Sequence, residues 1–209
     1  MQVDMRTLDA ASRYKIIGAC ITPRPIAWVS SVSAGGVPNL APYSFFNAIG
    51  NDPPMIVLGL VAHPTKGTKD TAANIRETGA FIVHLVDEAH AERMNHTSID
   101  HPAGVDEGAL VGLDMVPGVA VAAPRIASAP VGFECQTRHI IETGPNQIAV
   151  LAEIVHAHIA DAFVIDATRL HFDISAMNLI SRLHGAGWYG RQSDKFEMLR
   201  PALPILVKE

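Results

Sequence analysis

Two long runs, Val131 to Glu142 and Gln147 to His158, face each other across Thr143-Gly144-Pro145-Asn146. That turn cluster between β-rich runs is a hairpin signal, so the pair commits the second half of the chain to antiparallel sheet. The first half makes the same commitment. Ile26 to Ser33 alternates and is rich enough in β-branched residues to be a strand, and Val37 to Asn47 returns after it. Between them Ala34-Gly35-Gly36 supplies the positive φ angles of a tight turn. Pro53-Pro54 then punctuates the chain before a strand at Met55 to Leu60; Ala80 to Val86 is another, and Phe163 to Ile165 adds an edge strand.

Helices are few. A short helical turn is expected at Ala10 to Tyr14, and Asp87 opens a short helix to about Met94. Thr68 to Thr78 reads as a helix capped by Thr68 or Asp70, with Ala72, Ala73 and Ile75 facing inward and Gly79 as its stop. Asn95 to Pro130 is rich in Gly, Pro, Ala and Asp and predicts a loop-heavy excursion. The tail mixes Gly185, Gly187 and Gly190 with aromatics. The pattern predicts a mainly β fold with few helices, an antiparallel barrel or sandwich. With no repeat or linker, 209 residues fit one domain spanning 1–209.

Composition narrows the partners. Hydrophobic residues make up 48% of the chain and charged residues only 18%, below the usual charged share of about 25%. The longest apolar candidate, Met55 to Ala62, is strand-sized, well short of the roughly 18 residues of a membrane helix. The surplus apolar surface is therefore expected at a subunit interface. A net charge of -5 with no basic stripe argues against nucleic acid. The start, MQVDMRTLDAAS, has no apolar signal region, which predicts a cytoplasmic protein. Cys20 and Cys135 lie far apart and are expected to be reduced and buried.

Two stretches can carry chemistry. In Thr22 to Asn47, Ser30-Ser31 ends an apolar strand while Tyr43, Ser44 and Asn47 lie on the returning one. Residues of paired strands can converge into a patch of hydroxyl and amide groups for a planar heterocycle, with Trp28 or Phe45 as a wall. In His63 to Asn74, a strand leads into a helix start carrying Thr65, Lys66, Thr68, Lys69 and Thr71. Free amides at that end plus lysine and threonine donors make an anion site. The same residues also make an ordinary hairpin and a capped surface helix, and pattern alone leaves both readings standing. His156 and His158 share a strand face, and His84, His90, His96 and His101 follow one another, but a third ligand at zinc spacing is missing, so no metal is expected. No Gly-x-Ser-x-Gly elbow is present, and Glu153, Asp166 and Asp173 form no catalytic carboxylate pair at the level of sequence.

Arg24-Pro-Ile-Ala-Trp-Val-Ser-Ser, Asn39-Leu-Ala-Pro-Tyr-Ser-Phe-Phe-Asn and Lys69-Asp-Thr-x-x-Asn-Ile together resemble the flavin reductase-like, FMN-binding split-barrel family that includes flavoredoxin. In the tail, Ser181-Arg-Leu-His-Gly-Ala-Gly-Trp-Tyr resembles an Arg-Leu-Gly-Gly-x-x-Tyr segment, with His184 in place of the first glycine of the pair. The resemblance implies a six-stranded Greek-key split barrel that forms a homodimer, with FMN near the subunit interface. By motif match, Ser30, Ser31, Pro42, Tyr43, Ser44 and Asn47 would contact the flavin, and Lys69, Asp70 and Thr71 would hold or frame its phosphate. It further implies that hydride passes from NAD(P)H to the flavin and electrons go on to a protein or small-molecule acceptor. The protein would supply orientation and electrostatics, and no catalytic acid or base is named. A bound-FMN electron carrier without an NAD(P)H site, and a flavin-dependent oxidase or oxygenase, are the alternatives.

Overall fold

The computed structural model describes residues 1–62, 67, 69–102 and 104–201. Seven strands form its main sheet: β1 (Ala27–Val32), β2 (Pro38–Tyr43), β3 (Phe46–Asn51), β4 (Pro54–Val61), β5 (Ala80–Leu85), β6 (Val131–Gly144) and β7 (Gln147–Ile159). Their spatial order is β2-β1-β5-β6-β7-β4-β3, and neighbours pair antiparallel throughout. The edge strands β2 and β3 are consecutive in the chain and separated only by Ser44 and Phe45. Six strand spacings would hold the edges of a flat sheet about 29 Å apart. The three Cα steps from Tyr43 to Phe46 reach at most about 11 Å. The sheet must therefore roll into a barrel, and it is split where the chain steps from one edge to the other.

The resemblance implies six strands, and the return run Val37 to Asn47 reads as one strand; here it breaks into β2 and β3. The break is sealed by Gly59 of β4, whose amide donates to the Phe45 carbonyl at 2.7 Å. A Cβ at Gly59 would lie 2.9 Å from Phe45 Cβ, so only glycine lets the backbone approach this closely.

The barrel is filled by Val29, Ile56, Leu58, Ile75, Phe81, Val83 and Val150, all 2% exposed or less. A second cluster, with Trp28, Leu40, Met94 and Ile126, lies on the other face of β1 and β2. Trp28 belongs to this core and donates from Nε1 to Thr97 Oγ1 at 2.9 Å, so it is no ligand wall.

Helices flank the barrel. α1 (Ala10–Cys20) is longer than the turn expected at Ala10 to Tyr14. Gly18 is its only buried residue, so no apolar stripe marked its length. α2 (Asp70–Thr78) begins after Lys69, which makes no side-chain cap bond, and ends at Gly79 with φ 71°. Asp70 is thus the first helical residue rather than the cap, and Thr68 lies outside the described residues, as do Thr65 and Lys66. Ala72 and Ile75 face inward, but Ala73 is exposed and the polar Thr71 and Asn74 are buried instead. α3 (Ala91–His96) follows a 3-10 turn capped by Asp87, and α4 (Glu107–Leu110) sits in the loop-heavy excursion. Val164–Asp166 pairs with His171–Phe172 outside the main sheet. Cys135 is buried but Cys20 is exposed, because α1 lies on the surface.

The excursion after α3 is pinned by two buried groups. Glu134 of β6 accepts from the amides of Val119 (2.7 Å), Ala120 (2.6 Å) and Val121 (2.9 Å). His158 Nε2 lies 2.6 Å from the same carboxylate, which accounts for this histidine. Burial alone would raise the Glu134 carboxyl, but the His158 bond and the three amides outweigh it and bring it down to about 2. His84 accepts from the Ile126 amide at Nε2, 3.0 Å away, and its Nδ1 lies 3.0 Å from the Trp28 carbonyl. Burial pushes this ring down to about 4.

Both shifts oppose protonation in the folded state. The contribution of His84 is complete above its ordinary value of 6.5 and is lost as pH falls towards 4. That of Glu134 is complete above 4.5 and is lost as pH falls towards 2. Each is on the order of 3 kcal/mol. The urea midpoint is expected to fall steadily as pH drops from 6.5, and His84→Gln should flatten the part between 6.5 and 4. A native midpoint that stays constant over that interval would contradict this reading.

Candidate functional site

The split in the barrel places Ser44 and Phe45 at the side of a groove with two lobes. Cavities of about 560 Å³ and 390 Å³ share Pro42, Tyr43, Lys69 and Ser98, so they form one continuous depression. The first lobe runs between the end of β2, the start of α2 and residues 97–102, and includes Asn39, Asp70, Thr71 and His101. The second is lined by Tyr14, Ile26, Phe45, Met94, Arg182 and Tyr189. Both lobes mix polar and apolar side chains; the first is distinguished by the start of α2 and the second by the rings of Tyr14, Phe45 and Tyr189. These volumes fall within the roughly 300–1,000 Å³ of small-molecule sites.

The start of α2 gives the first lobe its electrostatics. A helix leaves its first amides without intrahelical partners and carries partial positive charge there. Lys69 stands at that end, with Nζ over the Tyr43 ring at 5.9 Å. Burial pushes the Tyr43 hydroxyl up to about 12, its hydrogen bond with Thr71 acts against this, and the carboxylates of Glu107 and Asp70 add to the rise. Tyr43 is therefore a neutral wall at physiological pH.

The sequence-derived residues divide cleanly. Pro42, Tyr43, Ser44, Lys69, Asp70 and Thr71 come together around the groove. Ser30 and Ser31 do not reach it. As strand neighbours they point to opposite faces: Ser30 Oγ donates to the Pro124 carbonyl at 2.5 Å, and Ser31 Oγ accepts from Asn74 Nδ2 at 3.0 Å. Ser31 and Asn74 thus clamp α2 onto β1. Asn47 is exposed on β3, and its Oδ1 accepts from the Ala48 amide at 2.9 Å.

Two arginines escaped the sequence reading. Arg24 is 6% exposed and donates to the carbonyls of Gly18 (2.8 Å), Ile21 (2.6 Å) and Leu183 (2.9 Å). Its Nε lies 3.4 Å from Ser44 Oγ. It ties the end of α1, the tail and the split together, and its place at the head of a matched motif was the available signal. Arg182 donates to the carbonyls of Trp188 and Gly185 at 2.9 and 2.8 Å and stacks over Tyr189 at 4.9 Å. It folds the tail loop into a wall of the second lobe, and Trp188 lies stacked against His184 at 6.1 Å.

Comparison with known proteins supplies the context for this groove. The family model described as "Flavin reductase like domain" matches residues 19–176. An uncharacterized protein of Deinococcus radiodurans is 36% identical over 201 residues, covering 94% of this chain and 88% of that protein. Among solved structures, 2-nitrobenzoate 2-nitroreductase NbaA of Pseudomonas fluorescens has a TM-score of 0.85 at 32% identity, covering 100% of this chain and 99% of that one. Nitrilotriacetate monooxygenase component B of Bacillus cereus has a TM-score of 0.88 at 28% identity, covering 95% and 98%. A match over most of the chain, joined to a split barrel whose groove lies at the split, leads to one conclusion: the chain belongs to the flavin reductase-like family and is a flavin-related oxidoreductase.

Proposed function

We propose that the groove binds FMN and that the protein passes electrons from NAD(P)H through it to an acceptor. The observation that carries this reading is that one groove joins a lobe gathering the rings of Tyr14, Phe45 and Tyr189 to a lobe that begins at a helix N-terminus. Phe45, Tyr43 and Tyr189 suit a planar heterocycle. Lys69 and the first amides of α2 suit a phosphate. The Thr71 hydroxyl already donates to Asn39 Oδ1 at 2.7 Å, so any phosphate contact from Thr71 comes from its amide. When bound, FMN supplies two-electron redox chemistry; the chain's own residues bind it, orient it and shield it from water. No acid or base from the protein is required.

The acceptor in this reading is a small organic molecule. NbaA, the 32% identical neighbour, is named for reduction of 2-nitrobenzoate, which makes nitroaromatic acids the first acceptors to test. The groove is open, as access by a second substrate requires. We further infer a homodimer. Exposed Ile49, Val61, Ile141 and Val155 lie on the adjacent strands β3, β4, β6 and β7, an apolar surface that a second subunit would cover. In that arrangement Asn47 would reach flavin from the neighbouring subunit, since it does not line its own groove.

Anaerobic addition of NADH or NADPH to the FMN-loaded protein tests the reading. Bleaching of the oxidised flavin absorbance is expected within turnover time, at rates of order 1–1,000 per second. A protein that stays yellow with both nucleotides yet is bleached by dithionite would point to an electron carrier. Light scattering of the FMN-loaded protein at micromolar concentration is expected to give twice the chain mass, and a monomer mass would contradict the interface.

A further inference from the structure

Outside the groove, the turn that follows β5 brings together a carboxylate, an imidazole and a hydroxyl. Asp87 caps this 3-10 turn, and His90 ends it three residues later. Asp87 Oδ1 accepts from the His90 amide at 3.1 Å and lies 2.5 Å from His90 Nδ1. Across the ring, His90 Nε2 lies 2.8 Å from Ser128 Oγ, in the excursion before β6. The Asp87 and His90 side chains are only 16% and 12% exposed, whereas Ser128 is open to solvent. The Trp28 ring packs beside the imidazole with centroids 6.2 Å apart, which leaves the imidazole little freedom to turn.

An ionised carboxylate can only accept, so Nδ1 carries the proton of the neutral ring. Nε2 then offers a lone pair, and the Ser128 hydroxyl donates to it. These are the relations that activate a serine: a base within hydrogen-bond reach of the hydroxyl, and a carboxylate holding that base in the tautomer that can take a proton. Such a triad is defined by geometry and roles, not by sequence position, so it does not require a Gly-x-Ser-x-Gly elbow. The Ala129 amide donates to the Ile126 carbonyl at 3.3 Å, which makes Ser128 the third residue of a turn. The Ser128 amide meets no acceptor among the described residues, and it can donate to negative charge developing on an oxygen beside Oγ.

We propose that Ser128, His90 and Asp87 form a second reactive centre, an acyl-transfer site for small carboxylic esters. None of the three lines the groove, and the proposal is independent of the flavin reading. Ser128 Oγ attacks the ester carbonyl while its proton passes to His90 Nε2. The bond to the leaving alkoxide breaks, and His90 gives the proton to that alkoxide. Water then attacks the acyl-serine and gives a proton to His90. The acyl–Oγ bond breaks, the carboxylic acid leaves, and His90 returns the proton to Ser128. No electron changes hands. Asp87 touches no substrate atom and is a positioning residue.

Hydrolysis of p-nitrophenyl acetate by the native protein tests the proposal, with peptide mass spectrometry of protein quenched during turnover to locate the acetyl group. The acetyl group is expected on Ser128. Ser128→Ala and His90→Gln should each lower the protein-catalysed rate by about a hundred-fold, the scale of lost acid–base catalysis. The double variant should be no slower than either single one, because the two groups act as a unit. Asp87→Asn separates positioning from capping. Asparagine caps a helical start as well as aspartate does, so the melting midpoint should stay near native while hydrolysis falls about ten-fold or more.

A native rate in Ser128→Ala would overturn the proposal, as would acetyl groups found only on other side chains. So would a native protein that releases p-nitrophenolate no faster than buffer does. Native hydrolysis in Asp87→Asn would reduce Asp87 to a cap and overturn its positioning role. Ser128 is exposed, so its alanine variant is expected to keep the native melting midpoint. Should His90→Gln fail to fold, Ser128→Ala carries the test.

Discussion

The link Ser44-Phe45 carries the chain between opposite edges of a seven-stranded sheet, and a link that short forces the edges together. Barrel closure here follows from chain connectivity more than from side-chain packing. Because β2 and β3 meet at their ends through a covalent step, the barrel opens beside that step, and the opening becomes the groove. Gly59 lets the crossing backbone press against β4, and Arg24 braces the crossing from the other side through Ser44 and the carbonyls around it. The α2 helix then arrives at the first lobe of the groove with its N-terminus first. Clamps from Thr71 to Asn39 and from Asn74 to Ser31 fix its approach.

Much of this was legible in the sequence because strands announce themselves by alternation and by turn chemistry. The strands β1, β6 and β7 fell within a residue or two of their expected bounds, and β2 began within one of its own but stopped at Tyr43, four residues before the expected Asn47. The break between β2 and β3 was not legible, since neither Ser44 nor Phe45 is a strand breaker and the step is imposed by closure. The full length of α1 was hidden for a different reason. It lies on the surface and buries only Gly18, so it lacks the apolar stripe that sequence periodicity detects. The pinning of residues 119–121 by Glu134 is a long-range contact with no local signature.

The candidate site was legible in part. Six of the nine residues matched by motif line the groove. The two serines do not line the groove, and period-two geometry gives the reason that both side chains cannot do so together: adjacent strand residues point to opposite faces. Their place in the motif is explained by packing, Ser31 holding α2 and Ser30 holding the excursion at Pro124. The converse holds for Arg182, whose importance comes from the tail loop that the fold brings beside it.

The central claim is that the groove receives a phosphorylated flavin with its phosphate at the start of α2. Titration of the native protein and of Lys69→Ala with FMN and riboflavin, followed by fluorescence quenching, tests it most directly. Riboflavin keeps the ring and ribityl contacts and lacks only the dianion. Charge-assisted hydrogen bonds contribute about 1.5–3 kcal/mol, so Lys69→Ala is expected to weaken FMN by about ten- to a hundred-fold and leave riboflavin nearly unchanged. Unaltered FMN affinity in Lys69→Ala would contradict the account, because the phosphate would then lie elsewhere.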